Sequence, residues 1–277
     1  MNCPEELRQR YREGRVIPFV GAGVSMSVTW ETDGRHLRGP SWRELVDQAA
    51  TMLGFENPEL ARIRGTDLQI LEYFKCKKSD QTATLTQWFM KQMMAPDSAL
   101  KKSPILRELS ELSKCRLFYT TNYDDFLERA FEQLGRRCHV VAIESEMGGH
   151  RKDCEVVKFH GDLNHPDQIV LTESDYERRL SLSTELDHRL QSDILGNVML
   201  FLGYGFRDPN VSYLFRLFTD RFHERAGSLK GDRAYIVVRD PSDFEEELFR
   251  ARQIKVIGVS GADMTAPIVK LLREMRS

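Results

Sequence analysis

Four apolar runs in this chain end in residues that could do chemistry. Val16–Val20 leads into Gly21-Ala22-Gly23-Val24-Ser25, and Arg116–Thr120 into Thr121-Asn122-Tyr123-Asp124-Asp125. Val156–Phe159 leads into His160-Gly161-Asp162, and Val198–Leu202 into Gly203-Tyr204-Gly205-Phe206 followed by Arg207-Asp208-Pro209-Asn210. Gly21 and Gly23 would let backbone N–H groups approach a pyrophosphate, with the dipole of a following helix in support. They do not complete a dehydrogenase fingerprint. Met26 stands where the third glycine belongs, and no acidic residue ends a second strand about 20 residues later.

The second segment has a structural reading, with Asn122 as an N-cap and Asp124 and Asp125 complementing the dipole of a helix over Phe126–Leu134. That reading accounts for neither the Thr120-Thr121 pair nor Tyr123. A lone histidine is usually a satisfied polar group, but His160 falls where an apolar strand meets glycine, at the sheet edge where open α/β folds bind ligands. In the fourth segment the glycines again permit close backbone approach, and Asp208-Pro209 reads as the cap and first residue of a helix. The coincidence of such signatures at successive strand ends says more than any one of them.

The elements that must position these residues are β-branched or aromatic runs, each followed by a turn and a helical pattern, which predicts an α/β fold with a parallel sheet flanked by helices. Ala234–Val238 and Lys255–Val259 add two further strands, His139–Ile143 an edge strand, and Thr265 to Met275 a closing helix. The opening MNCPEELRQRYREG reads as an amphipathic helix. Residues 42–113 carry helical periodicity and form an inserted helical subdomain. Ser41 with Glu44 makes a capping box for a helix Trp42–Met52, and Asn57-Pro58 starts the next.

Composition narrows the function classes. Among 277 residues, 40 basic side chains face 42 acidic ones, so no global field holds nucleic acid or an anionic membrane. The clusters Lys75/Lys77/Lys78, Lys101/Lys102 and Arg136/Arg137 read as solvated faces. No apolar run approaches the roughly 18 residues needed to span a bilayer, and no signal or transit peptide is recognisable. The expected location is cytoplasmic. Cys3, Cys76, Cys115, Cys138 and Cys154 are too few and too widely spaced for a disulfide framework or a zinc ribbon, so they are expected to be reduced and mostly core.

GAGVS at 21–25, TNYD at 121–124, HG at 160–161 and GYGFRDPN at 203–210 resemble, in order, the four signature segments of the sirtuin-like family. The resemblance is greatest to its bacterial antiphage-defence branch, whose members hydrolyse NAD, and Pro40-Ser41-Trp42 fits the same pattern. It implies a Rossmann-like sheet in a single NAD-binding domain over residues 1–277. It also implies cleavage of the nicotinamide–ribose bond to nicotinamide and ADP-ribose, with NAD as substrate. By this resemblance Asn122 orients the nicotinamide ribose or the attacking water, and His160 is the base toward a ribose hydroxyl or water. Gly21, Ala22, Gly23 and Ser25 line the phosphates, Asp124 lies near the carboxamide, Gly203 lies beside the adenosine half, and Thr121 and Gly205 are further NAD-binding residues.

Two departures bear on this expectation. Protein-deacylating sirtuins carry a zinc module of paired cysteines after the HG segment, whereas residues 161–202 contain no cysteine, so no zinc is expected and peptide binding is disfavoured. The link between Ser25 and Pro40 is long and carries Trp30, Arg35 and His36. A zinc-free deacylase and a non-catalytic nucleotide or ADP-ribose sensor remain the alternatives. A nuclease would need an acidic metal cluster and a basic groove. Since the last strand and helix are expected to complete the sheet by Ser277, the trigger is expected from outside. The branch implies a homo-oligomer and a separate activating protein such as a HerA-type ring ATPase, meeting residues 42–113 or the C-terminal helix.

Overall fold

The computed structural model describes residues 2–79, 82–149, 152–180, 184–205 and 232–277. In chain order it runs α1 (Glu5–Arg12), β1 (Val16–Val20), α2 (Ala22–Met26), β2 (Thr29–Thr32), β3 (Arg35–Arg38), α3 (Trp42–Met52), α4 (Pro58–Arg64), α5 (Asp67–Lys77), α6 (Ala83–Gln92), α7 (Asp97–Lys102) and α8 (Pro104–Ser110). It continues β4 (Leu117–Thr120), α9 (Phe126–Gln133), β5 (Cys138–Val141), β6 (Cys154–Lys158), α10 (Glu173–Leu180), α11 (Glu185–Gly196), β7 (Val198–Leu202), β8 (Ala234–Arg239), α12 (Asp243–Arg250), β9 (Ile254–Val259) and α13 (Thr265–Arg276). The Asp208-Pro209 helix start lies outside the described residues.

Seven strands form one parallel sheet in the order β5-β6-β4-β1-β7-β8-β9. Both faces are covered, so β1, β6 and β7 are buried along their whole length; β1 and β7 read as continuous apolar runs rather than alternating ones, while β6 also buries Glu155 and Lys158. The pleat still divides them. Val16, Val20, Val198, Leu200 and Leu202 face a core shared with α1, α8, α9, α13 and the inserted helices, whereas Ile17, Phe19, Met199 and Phe201 face α11 and α12. The chain leaves β1 for β4 on one side and resumes at β7 on the other, which creates a topological switch point at the carboxyl end of β1.

The insertion is helical as expected, with the capping box of Ser41 and Glu44 in place and Asn57 capping α4. The link before Pro40 is a β2–β3 hairpin whose turn residues Asp33 and Gly34 have φ of 51° and 72°, the left-handed pair that an Asp-Gly hairpin turn requires. The edge strand begins at Cys138 and its partner at Cys154, because those two residues are in register with their Sγ atoms 3.3 Å apart. Arg136 is not a solvated face. Its buried guanidinium bonds the Leu109 and Ser110 carbonyls at the end of α8 and lies over the Phe118 and Phe131 rings.

At the switch point the turns after β1 and β7 interlock. Gly21 N–H donates to the Leu202 carbonyl at 2.8 Å and Gly23 N–H to the Gly203 carbonyl at 2.9 Å. Gly203 has φ +78°, and a Cβ there would lie 2.6 Å from the Val24 amide nitrogen. Among the described residues, by contrast, nothing lies within 4 Å of a Cβ built on Gly205. Gly203→Ala is therefore expected to lower the unfolding free energy by roughly 2–4 kcal/mol, from left-handed strain plus overlap with backbone that cannot yield. Gly205→Ala should stay near wild type. Urea denaturation of the two variants checks this; equal losses would dissolve the distinction.

Candidate active site

Two cavities meet at Ala22 and Trp42, beside the interlocked turns. The smaller is lined by Ser25, Pro40, Leu45, Phe89, Met93 and Thr121 to Asp124, together with the two shared residues. The larger, about 550 Å³, lies between Gly23, Gly203, Gly205, the end of β8 at Val238 and Arg239, and the start of α13. That volume is in the range of small-molecule sites, and its position at the switch point is where open α/β sheets bind ligands.

A hydrogen-bonded relay forms the polar wall of the smaller cavity. Asn122 Nδ2 donates to Ser25 Oγ at 2.9 Å, and Ser25 Oγ donates to Asp124 Oδ2 at 2.8 Å. Asp124 Oδ1 accepts from the Phe126 amide at 3.1 Å, at the start of α9. The carboxylate can only accept, so the serine hydroxyl must point at it. That hydroxyl can then only accept from Asn122, so the amide NH2 faces Ser25 and Oδ1 is left as an acceptor for the cavity. Burial pushes the Asp124 pKa above the usual carboxylate range, against the opposing pull of the nearby Lys158 ammonium.

The structure also accounts for what the N-cap reading left over. Thr120 Oγ1 donates to the Val20 carbonyl at 2.8 Å and accepts from the Asn122 amide at 3.0 Å, which ties β4 to β1 and holds the Asn122 backbone. Thr121 Oγ1 lies 2.9 Å from the Tyr204 hydroxyl, which donates to Val20 O at 3.0 Å. Tyr123 OH donates to the Val170 carbonyl at 2.7 Å. The N-cap position of α9 is Asp125, which makes no side-chain cap bond, and the side chain that accepts from the first helical amide, of Phe126, is that of Asp124, not Asn122.

The candidate residues thus separate into groups. Ala22, Ser25, Thr121, Asn122 and Asp124 converge on the smaller cavity, and Gly23, Gly203 and Gly205 line the larger. Ser25 falls with Asn122 rather than on the expected phosphate side, and Gly21 lines neither cavity because it is packed against Gly203 and Tyr204. Sequence reasoning missed Tyr204, whose hydroxyl joins β1, β4 and β7. It also missed Phe89 and Met93 of the insertion, whose spacing of four places them on one helix face.

His160 is set apart. Its ring is fully buried, 5.6 Å from the Phe159 ring and 5.3 Å from that of Tyr176, and it lines neither cavity. Neither ring nitrogen has a hydrogen-bond partner among the described residues. Burial, and after it the Arg179 charge, hold its pKa well below 6.5, so the ring is neutral. Gly161 has φ +78°, and a Cβ there would meet the Gln168 carbonyl at 2.8 Å, so this turn also requires glycine.

The family model described as SIR2-like domain matches residues 116–257. The chain is similar to NAD(+) hydrolase ThsA of Bacillus cereus, with 28% identity over 214 residues covering 76% of this chain and 41% of that protein. The protein of the same name from Enterococcus faecium is 30% identical over 211 residues, covering 75% and 40%. Defense-associated sirtuin 2 of Bacillus subtilis is 25% identical over 264 residues, covering 89% and 23%. The chain spans about two fifths of the length of these hydrolases and less than a quarter of the sirtuin.

The buried neutral histidine has a consequence for stability. Because the folded pKa is depressed, the unfolded chain alone takes up a proton as pH falls below about 6.5, and stability present above that pH is lost below it. Relative to His160→Gln, the wild type should lose up to about 1.4 kcal/mol per pH unit in that range. Urea midpoints of both proteins from pH 7.5 to 5 measure the difference, and parallel curves would contradict a buried neutral ring.

Proposed function

Because the chain belongs to the SIR2-like domain family, we propose that it hydrolyses NAD at the nicotinamide–ribose bond, releasing nicotinamide and ADP-ribose, and thereby depletes NAD in antiphage defence. On this reading residues 1–277 act as one NAD-binding domain. The dinucleotide's adenosine and phosphates occupy the larger cavity, and its nicotinamide end the smaller one. The observation that carries the proposal is the Asn122–Ser25–Asp124 relay beside a glycine-lined groove at the switch point. The names of the ThsA relatives support the substrate.

The chemistry suits these groups. Nicotinamide leaves from a pyridinium and needs no proton, so the site must orient the ribose, stabilise positive charge developing at its anomeric carbon, and direct a water. Asn122 Oδ1 is an acceptor for a ribose hydroxyl or that water. Asp124, in a low-dielectric setting, places negative charge one relay away. We assign the base role to His160. A neutral ring can accept a proton. Its two unpartnered nitrogens carry a desolvation penalty of about 1–3 kcal/mol each that a hydroxyl or water reaching them would relieve.

Control is proposed to come from assembly, as a homo-oligomer engaged by a separate protein such as a HerA-type ring ATPase in the cytoplasm. In support, the inserted helices present apolar side chains to solvent, with Leu60 50% and Ile63 78% exposed. No helix among the described residues is long and apolar enough to cross a membrane.

Chromatographic assay of the activated protein with NAD should show nicotinamide and ADP-ribose in equal amounts without any acyl-lysine peptide. A requirement for such a peptide would replace this reading by the deacylase. Asn122→Ala and His160→Gln should each lower turnover by about 10²–10⁴-fold while keeping the fold. Gln is the informative choice at position 160, because Ala would empty an enclosed volume. Light scattering after size exclusion tests assembly, and a monomer fully active alone at low concentration contradicts the control scheme.

A further inference from the structure

Lys158 is the last residue of β6, in register with Thr120 of β4, on the sheet face that buries Cys154 and Val156. Its side chain is 1% exposed, where this strand would otherwise carry another apolar residue. An ammonium taken out of water is strongly disfavoured unless it is paired, and it adds less to stability than an apolar side chain of the same volume. Its place is better explained by what it holds. Lys158 Nζ donates to the main-chain carbonyl of Asp124 and to Glu128 Oε1, the latter at 2.7 Å.

Those two partners are one helical turn apart at the start of α9. Asp124 heads the relay through Ser25 to Asn122, and the direction of that relay requires its carboxylate to be an acceptor. Were Asp124 protonated, it would donate to Ser25, the serine proton would turn elsewhere, and the Asn122 amide would lose its reason to face Ser25 with nitrogen. We propose that Lys158 is a positioning residue for the site: anchored by Glu128, it clamps the Asp124 backbone and supplies the countercharge that keeps the relay pointing from Asn122 to Asp124. This role rests on the NAD-hydrolase reading for its purpose, though not for its geometry.

The surrounding charges assign this task to Lys158. On α9 and the turn before it, Asp125 is paired with Arg129 at 3.0 Å, and Glu128 Oε2 is buried without a partner among the described residues. In the turn after His160, Asp162 is held by His165 at 2.8 Å. Burial pushes both Asp124 and Glu128 above the usual carboxylate range, and in both Lys158 is the largest opposing influence. The pull of Glu128 and Asp124 outweighs the burial of Lys158 itself and keeps it a cation.

The test is to titrate the Asp124 side-chain carboxyl by 13C NMR in aspartate-labelled protein without NAD, with Asp124→Asn identifying the resonance. Lys158→Met should raise the Asp124 midpoint by at least about one pH unit, and Lys158→Arg should bring it back toward wild type. Glu128→Gln frees Lys158 for Asp124 and should lower the midpoint. A merely structural lysine cannot produce these opposite signs, and the Glu128 variant keeps the test decisive if Lys158→Met does not fold. In parallel, Lys158→Met should reduce nicotinamide release about tenfold or more with little change in KM for NAD, and its acid limb should move to higher pH. An Asp124 midpoint that moves in neither variant overturns the role of Lys158. Absence of nicotinamide release in the wild type counts against the proposed activity, and leaves the titration to judge Lys158.

Discussion

Gly23 gives its amide hydrogen to the carbonyl of Gly203 across the seam where β1 and β7 part, at a separation that a side chain on either residue would prevent. This contact holds the carboxyl ends of two strands together while their chains depart to opposite sides of the sheet. The groove follows from it, because the space above the seam is open only if the two turns stay low. The relay follows as well, since α2, which carries Ser25, starts from the first of these turns and meets Asn122 at the end of the neighbouring β4. Tyr204 adds a second tie in the same place, with one hydroxyl joined to Thr121 and Val20. The glycines are thus required by each other, whatever they also allow a ligand to do.

Around this seam the protein buries charge that it could have kept in water. Asp124 and Lys158 are enclosed, Glu128 is nearly so, and His160 is sealed with neither nitrogen partnered among the described residues. Groups of this kind weaken a fold unless they are paired, and their concentration at the ends of β4 and β6 marks a place organised for something other than stability. The signs fit the proposed reaction. A carboxylate lies two hydrogen bonds behind the asparagine that would face a cationic transition state, with Ser25 between them, and the histidine stays neutral. His160 is separated from the other candidates by its burial, so its use as a base requires that water or a ribose hydroxyl reach it.

The inserted helices take part in the site. Trp42 and Leu45 of α3 and Phe89 of α6 line the smaller cavity with Met93, the residue after α6. A purely external subdomain would leave the relay open to water, which would weaken every electrostatic interaction in it. The hairpin before α3 contributes through Trp30, which packs edge-on against Phe126 at the start of α9 while the rest of the hairpin stays exposed.

Much of the fold was legible in the chain because its signals are local. Strands buried on both faces need apolar runs, helix starts need caps such as Ser41 and Asn57, and a turn that crowds another backbone needs glycine. The candidate residues could be read from the sequence as well, since each stands where a strand gives out. Even the hairpin had a local signal in Asp33-Gly34, a pair suited to left-handed turn geometry. What the sequence could not determine is which of these residues meet. Ser25 and Asn122 are 97 positions apart. Their hydrogen bond exists because β1 and β4 are adjacent in the sheet, and strand order is set by the packing of helices on both faces, which no local pattern encodes. Burial of Lys158, Arg136 and His160 has the same origin: a polar residue at a strand end reads alike in sequence whether it meets solvent or another element, and only tertiary packing removes the water.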